Sequence, residues 1–195
     1  AFLAGYSAAL SSKNGKVAML TSPISADAYE GGFRIGAKAA NKNIRTYSNV
    51  VTSGARKITK SLIADGVDVI YDATDLSSNS IFSTILKSNN SKKRKNASTE
   101  VGIIITEPDQ FLLVTTEDSK YLLASLIKRV DIAVADIIKA AITGDELFDP
   151  INMRLMIYGH RYTIADKGVE LVIKSKSLAE YTLEINRAAN AQFKE

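Results

Sequence analysis

The chain has 195 residues, of which 46% are hydrophobic and 24% charged, and its formal net charge is +4. That balance is ordinary for a globular fold with a sizeable buried core. The sequence has no cysteine, which excludes disulfides, thiolate metal ligands and cysteine nucleophiles.

The opening segment, AFLAGYSAAL, predicts an amphipathic helix. Its apolar residues recur at helical spacing, and Asn14 and Gly15 then supply a stop signal. No basic residue precedes Phe2, so the segment does not resemble a secretory leader. It is also shorter than the about 20 apolar residues that a membrane-spanning helix needs. We expect the chain to begin inside a fold, on a helix that follows upstream sequence.

Strands and helices alternate through residues 16–110 in the predicted order βαβαβαβ. The predicted strands are KVAMLTS, NIRTYSNVV, VDVIYDA and EVGIIITEPDQ, and the predicted helices are SADAYEGGFRIGAKAAN, SGARKITKSLIADG and SNSIFSTILKSNN. Strands this apolar and β-branched indicate a parallel sheet that is covered on both faces. Ligands in such folds bind outside the carboxyl ends of the strands. The rule selects residues 21–23, 72–75 and 106–110.

The pattern changes after residue 110. FLLVTT predicts a short strand, and residues 121–144 predict one long helix that ends at Gly144. Apolar residues surround nearly the whole of this helix, so we expect it to be buried on several sides. Lys128 falls in its middle, where it either snorkels outward or points into a polar cleft. The predicted strands INMRLMIYG and GVELVIK and the predicted helix SLAEYTLEINRAANAQF follow.

Several catalytic and cofactor-binding patterns are absent from the sequence. It has no GxxxxGK[ST] or GxGxxG phosphate loop and no GxSxG elbow. The glycines of YEGGFRIGAKA fall within a predicted helix, and we interpret them as close-packing positions. His160, as a single histidine without cysteine, makes a zinc site improbable. The basic run at 87–95 lacks interleaved aromatic residues, so we do not expect nucleic acid as a partner. Because the phosphate loops are absent, we also expect no cofactor.

Carboxylates lie at the ends of two of the predicted strands: Asp72, Asp75, Glu107 and Asp109. Such residues cap helices and form turns. They also accept strong hydrogen bonds from sugar hydroxyls or amines. A carboxylate pair would suit glycoside hydrolysis as well, and sequence does not give the separation between the two groups.

Five segments, in order, resemble the basic membrane protein family of bacterial ABC-transporter binding lipoproteins. They are AFLAGYSAAL, YEGGFRIGAKAAN, GVDVIYDA, IIITEPDQ and SLIKRVDIAV. The resemblance runs along nearly the whole chain, and the best-understood members of the family are purine nucleoside receptors.

The resemblance implies an α/β fold of the periplasmic-binding-protein type I class, with two parallel-sheet lobes and the N-terminal part of the first lobe missing here. It assigns residues 1–12 to a connecting helix, 13–110 to the second lobe and 111–150 to the rest of the first lobe. Residues 151–195 would return to the second lobe and add a C-terminal helix. Unless the missing segment or a partner chain covers it, helix 121–144 would then expose an apolar patch.

The implied function is that of a non-enzymatic receptor for an ABC importer. It would hold a purine nucleoside between the lobes, deliver it to an ABC permease, and stand outside the cytoplasm on a lipid anchor that this chain lacks. Tyr29 would stack on the base, and Glu107 and Lys128 would bind ribose. Asp109 would brace the turn that follows. The alternative is a ligand-binding sensor or regulatory domain of the same fold.

The sequence departs from the family pattern after VDVIYDA. The family is glycine-rich there, whereas this chain carries Thr74, Asp75 and Ser77. Glycines would let the backbone approach a ligand closely. The side chains at 74–77 therefore imply either a different ligand or weaker binding.

Overall fold

The computed structural model describes residues 1–74, 78–91, 99–106, 118–145, 149–152, 157–160, 162–164 and 166–192. The chain divides into two units. The first comprises Ala1–Leu126 and Leu171–Glu195, and the second comprises Ile127–Glu170. The described strands are β1 (Lys16–Thr21), β2 (Arg45–Val50), β3 (Val69–Ala73), β4 (Gly102–Thr106), β5 (Leu122–Lys128), β6 (Asp149–Asn152), β7 (Ile157–Gly159) and β8 (Val169–Ile173). The described helices are α1 (Phe2–Ser11), α2 (Ala26–Ala40), α3 (Ala55–Ala64), α4 (Ser78–Asn90), α5 (Val130–Thr143), α6 (Lys176–Ala179) and α7 (Thr182–Gln192).

The main sheet has six strands in the order β2-β1-β3-β4-β5-β8. The pairs from β2 to β5 are all parallel, as the apolar strands predicted. The strand order reverses at β1, which has β2 on one side and β3 on the other. In open α/β sheets this topological switch point is where ligands bind, outside the carboxyl ends of the strands.

Helices cover both faces of the sheet in the first unit. On one face, Phe33 of α2 stacks on Tyr71 of β3, with 5.8 Å between ring centroids. On the other, Leu62 of α3 and Ile85 of α4 share a core with Ile103 of β4. The fold class predicted from sequence, α/β with a mostly parallel sheet, is confirmed.

Glycines let α1 and α2 approach backbone to backbone. A Cβ atom added at Gly36 would lie 2.1 Å from the carbonyl oxygen of Phe2, and one added at Gly5 would lie 2.0 Å from that of Phe33. The close-packing interpretation is therefore correct for Gly36. It is wrong for Gly31, where nothing lies within 4 Å of an added Cβ.

The predicted helix over residues 121–144 is wrong in its first half. Leu122–Lys128 forms strand β5, and the helix begins only at Val130 and ends before Gly144, which has φ of 76°. A buried strand followed directly by an apolar helix gives one continuous apolar run, which periodicity cannot divide. Lys128 is thus the last residue of a strand and not the middle of a helix.

Helix α5, in the second unit, also departs from expectation. None of its residues is buried by the described part of the chain, whereas we expected burial on several sides. Its exposed large apolar residues are Val130, Val134, Ile137, Ile138 and Ile142. Part of the apolar run that predicted a helix buried on several sides belongs instead to strand β5, which is in the sheet.

Two later elements are also divided differently from the prediction. The single strand predicted at 151–159 is replaced by β6 and β7, which pair antiparallel with Pro150 opposite Tyr158. The last predicted helix is two helices, α6 and α7. Within the described ranges, no helix combines the length and apolar character needed to cross a membrane.

Candidate ligand site at the carboxyl ends of the strands

Polar side chains gather where β1, β3 and β4 end. Thr21 pairs with Ala73 across β1 and β3, and Asp72 pairs with Ile105 across β3 and β4, so these strand ends are neighbours. We call the polar residues at this edge the carboxyl-edge cluster: Thr21, Ser22, Ser25, Asp72, Thr74 and Thr106.

Asp72 organises the turn that leaves β3. It is 1% exposed, and its Oδ1 accepts hydrogen bonds from the Thr74 backbone N–H at 2.9 Å and from the Thr74 hydroxyl at 2.7 Å. This is the turn-forming geometry of an aspartate side chain. These hydrogen bonds agree with the turn-forming role that was one of the two interpretations of Asp72. They also direct the hydroxyl proton of Thr74 toward the protein.

Tyr71 and Thr106 connect the ends of β3 and β4. The Tyr71 hydroxyl lies 3.0 Å from Thr106 Oγ1, which also lies 3.3 Å from the Asp72 carbonyl oxygen. Burial raises the pKa of Tyr71; the hydrogen bond with Thr106 lowers it, and nearby Tyr29 and Asp72 raise it further. Tyr71 is therefore a neutral phenol at physiological pH.

Tyr29 lies on α2 beside this edge. It is half-buried and close enough to Tyr71 to contribute to the raised pKa of that phenol. Phe33, one turn further along α2, is fully buried. Tyr29 is therefore the more accessible of the two rings at the strand ends.

Three hydroxyls follow β1. Ser22 Oγ lies 2.7 Å from Ser25 Oγ, which lies 3.2 Å from Thr21 Oγ1. Ser25 occupies the N-cap position of α2, but its side chain makes no capping hydrogen bond. The Ser25 carbonyl oxygen accepts from the Tyr29 N–H at 3.1 Å, so both residues lie on the same side of α2.

The structure locates some of the predicted site residues. Tyr29 and Thr74 both belong to the first unit, at the edge where β1, β3 and β4 end. Lys128 is exposed at the carboxyl end of β5 and belongs to the second unit. The remaining predicted residues, Asp75, Glu107 and Asp109, lie outside the described residues, so their roles stay predictions.

Sequence reasoning did not predict the contacts among the hydroxyls of Thr21, Ser22 and Ser25, although the strand-end rule had selected residues 21–23. It also missed Asp68, which lies at the opposite end of the sheet. The Asp68 carboxylate accepts from the Ser12 hydroxyl at 2.6 Å and from the backbone N–H groups of Lys13 and Asn14 at 2.7 and 2.8 Å. This fixes the turn between α1 and β1, a role that only the folded chain makes visible.

A cavity lies at the edge of the sheet opposite to the carboxyl ends of the strands. A volume of about 510 Å³ lies by the amino ends of β3, β4 and β5, beside Lys13, Asn89 and Lys120. Asn89 bonds with both its amide atoms to the backbone of Val101, and Asp68 is engaged as described. Because Asp68 and Asn89 both bond within the fold, and because ligands of α/β sheets bind at the carboxyl ends of the strands, we place the candidate site at the carboxyl edge.

The described residues contain no group of three or more His, Asp or Glu side chains that could hold a metal ion. His160 is exposed, and its ring meets Tyr162 edge-on, with 4.7 Å between centroids. The arrangement at the carboxyl edge suits recognition of a ring with polar substituents, because the half-buried Tyr29 lies at the same edge as the partly buried Ser22 and Ser25.

Comparisons with known proteins show which family this chain resembles. A family model described as Bmp, ABC transporter substrate-binding protein PnrA-like, matches residues 1–192. A CD4+ T-cell-stimulating antigen of Listeria monocytogenes is 35% identical over 156 residues, covering 74% of this chain and 43% of the relative. Basic membrane protein D of Borreliella burgdorferi is 31% identical over 143 residues, covering 67% and 37%. The chain thus spans less than half the length of these relatives.

Two solved structures share the fold. A transcriptional activator of the comK gene from Bacillus halodurans matches with a TM-score of 0.69 and 22% identity, over 97% of this chain and 60% of the other. A solute-binding protein of an ABC transporter system from Aeropyrum pernix K1 matches with a TM-score of 0.60 and 13% identity, over 99% and 58%. At these identities the likeness concerns the fold alone.

Proposed function

We propose a function for this chain from the premise that it belongs to the Bmp family, the ABC transporter substrate-binding proteins described as PnrA-like. The chain is part of the receptor of an ABC importer, and it binds purine nucleosides in a cleft between two lobes. The family match supports the transport role, and the five segments that resemble purine nucleoside receptors support the ligand.

The observation that carries the proposal is the position of Tyr29. A half-buried phenol at the carboxyl edge of a parallel sheet offers a flat surface for a base. Stacking of a base on an aromatic side chain contributes about 1–3 kcal/mol. The carboxyl-edge cluster stands beside this ring with hydroxyls and a carboxylate.

The remaining ligand contacts are part of the same proposal. Glu107 and Lys128 bind ribose hydroxyls, since charged groups make the stronger hydrogen bonds. Thr74, Asp75 and Asp109 shape the loops around the ligand. In this proposal the two lobes are built from the four predicted segments, which are residues 1–12, 13–110, 111–150 and 151–195.

The family is one of substrate-binding transport proteins, and we propose that this chain likewise performs no catalysis. Closing of the lobes removes water from the stacked base and the ribose contacts, which strengthens both. The receptor then delivers the nucleoside to a permease. ABC substrate-binding proteins act outside the cytoplasm, and a lipidated N-terminus beyond this sequence anchors the receptor to the membrane.

A sensor or regulatory domain of the same fold is the less favoured alternative. One structural neighbour is titled a transcriptional activator, but its 22% identity supports only the shared fold. The family match over residues 1–192 favours transport.

Calorimetric titration with adenosine, guanosine and inosine tests the proposal, on this chain and on a form extended by its upstream gene segment. Tyr29→Ala should weaken binding by about 5- to 150-fold, the equivalent of one stacking contact. Tyr181→Ala, at a tyrosine that is 41% exposed in the same unit, is the matched control and should bind normally. If neither form binds any nucleoside, the proposal is wrong.

A further inference from the structure

The helices α3 and α4, which cover the same face of the sheet, form a basic groove between them. The groove has a volume of about 330 Å³, and the described residues that line it are Arg56, Lys60 and Ile63 of α3 and Thr84, Lys87 and Ser88 of α4. The three cationic side chains are exposed, whereas Ile63 and Thr84 are buried. The groove thus has a buried floor beneath a rim of positive charge.

Within the part of the chain that the structure describes, this rim has no carboxylate partner. No aspartate or glutamate is among the described residues that line the groove, and both ion pairs of the described residues are formed by Arg129. Arg56 and Lys60 stand four residues apart on α3, where like charges repel each other and destabilise the helix. An anion held between α3 and α4 would relieve this repulsion.

The sequence from which these helices are built carries no acidic residue. Residues 31–64 and 76–99 contain 12 of the 25 lysines and arginines and none of the 21 aspartates and glutamates. The rest of the chain has 13 basic and 21 acidic residues, which gives it a net charge of −8. The mild net charge of +4 therefore hides a strong separation of charge, and α3 and α4 both belong to the basic part.

The chemistry of the groove favours phosphate groups on a membrane surface. Guanidinium and ammonium groups make charge-assisted hydrogen bonds with phosphate oxygens. No aromatic residue is among the described ones that line the groove, so it offers no ring on which a nucleic-acid base would stack. Positive charge that continues beyond the groove suits an array of anionic head groups, because each basic residue near such a surface adds to the attraction.

We infer that the groove between α3 and α4 binds the phosphate head groups of anionic phospholipids. This face of the protein then lies against the membrane surface. The inference goes beyond the proposed nucleoside function and does not depend on it.

Vesicle sedimentation tests the inference on the chain itself. The chain should bind vesicles that contain phosphatidylglycerol but not vesicles of phosphatidylcholine alone, and added salt should release it. Arg56→Gln, Lys60→Gln and Lys87→Gln should each weaken binding by about fivefold, the contribution of one basic residue near an anionic surface. Lys42→Gln, in the exposed turn after α2 on the opposite face of the sheet, removes the same charge and should change binding little.

Equal binding to both kinds of vesicle would overturn the inference, and so would an equal loss in Lys42→Gln and in the three groove variants. Tighter binding to a DNA duplex than to the phosphatidylglycerol vesicles at the same salt concentration would assign the basic face to nucleic acid instead. Release from the vesicles by inorganic phosphate at constant ionic strength would also contradict the inference, because the groove would then hold a free phosphate. Circular dichroism checks the fold of each variant, and removing a like charge from α3 should not weaken that helix.

Discussion

Replacing Gly36 with alanine should separate α1 from α2. The added Cβ would lie 2.1 Å from the carbonyl oxygen of Phe2, 2.9 Å from its carbonyl carbon and 3.0 Å from its Cα. All three are backbone atoms, so no side chain can rotate away. Carbon and oxygen atoms normally approach to about 3.3 Å or more, and the helices must therefore move apart by about 1 Å.

The free energy of unfolding should fall by about 2 kcal/mol. Overpacking a core by one carbon typically destabilises by about 1–3 kcal/mol and occasionally more, and backbone contacts belong at the upper end. Alanine is about 1 kcal/mol better than glycine inside a helix, which offsets part of the loss. Gly31→Ala should gain the same helix propensity without a steric clash, because nothing lies within 4 Å of its added Cβ.

Urea unfolding followed by circular dichroism measures the difference directly. Since both substitutions lie in α2, the propensity gain largely cancels between them, and the remaining gap of about 3 kcal/mol is the steric contribution. With a urea dependence of about 2–3 kcal/mol per molar, the midpoints should differ by about 1 M. Equal midpoints for the two variants would contradict the backbone contact between α1 and α2.

Two further predictions concern groups that hold α1 in place. Asp68→Ala should lower the free energy of unfolding by about 3 kcal/mol, since hydrogen bonds to a charged group contribute about 1.5–3 kcal/mol each and the freed groups are partly hydrated. Urea unfolding measures this change. As the control, Asp65→Ala, at an exposed aspartate, should change the free energy of unfolding by no more than about 0.5 kcal/mol. Burial, and then the hydrogen bond donated to Glu184 at 2.8 Å, raises the pKa of Tyr6 to about 12. Because the folded state holds this proton more tightly than the unfolded state, stability should be complete below about pH 10 and fall as pH rises toward 12. Tyr6→Phe should reduce this alkaline loss, and an unchanged profile in denaturant titrations would contradict the assignment.

The fold was predictable from residues 16–106 because each apolar strand there is bounded by helices with clear stops. Gly66, for example, ends the segment of α3 with φ of 88°, a conformation that glycine adopts readily. Residues 121–144 lack such a boundary between β5 and α5, since no glycine or proline separates the strand from the helix and Gly144 comes only at the helix end. Whether an apolar run is a strand depends on which strand it pairs with, and here that partner is β4, distant in sequence.

The location of the candidate site followed from strand topology, but its chemistry did not. The rule for carboxyl ends selected residues 21–23 and 72–75 without knowing where their side chains point. Ser25 illustrates the limit: its residue type predicts a helix cap, whereas its hydroxyl bonds to Ser22. The hydroxyl of Ser22 lies close enough to bond with Ser25 in place of the helix cap. Local helix-capping propensity does not predict this contact.

The loop after β3 departs from the glycine-rich pattern of the family. The side chains at 74–77, in place of glycines, imply either a different ligand or weaker binding. Thr74 turns its hydroxyl back to Asp72 at 2.7 Å and is 7% exposed. The added polar group is therefore satisfied by the protein itself, and at this position the loop adds bulk without adding a donor that points outward.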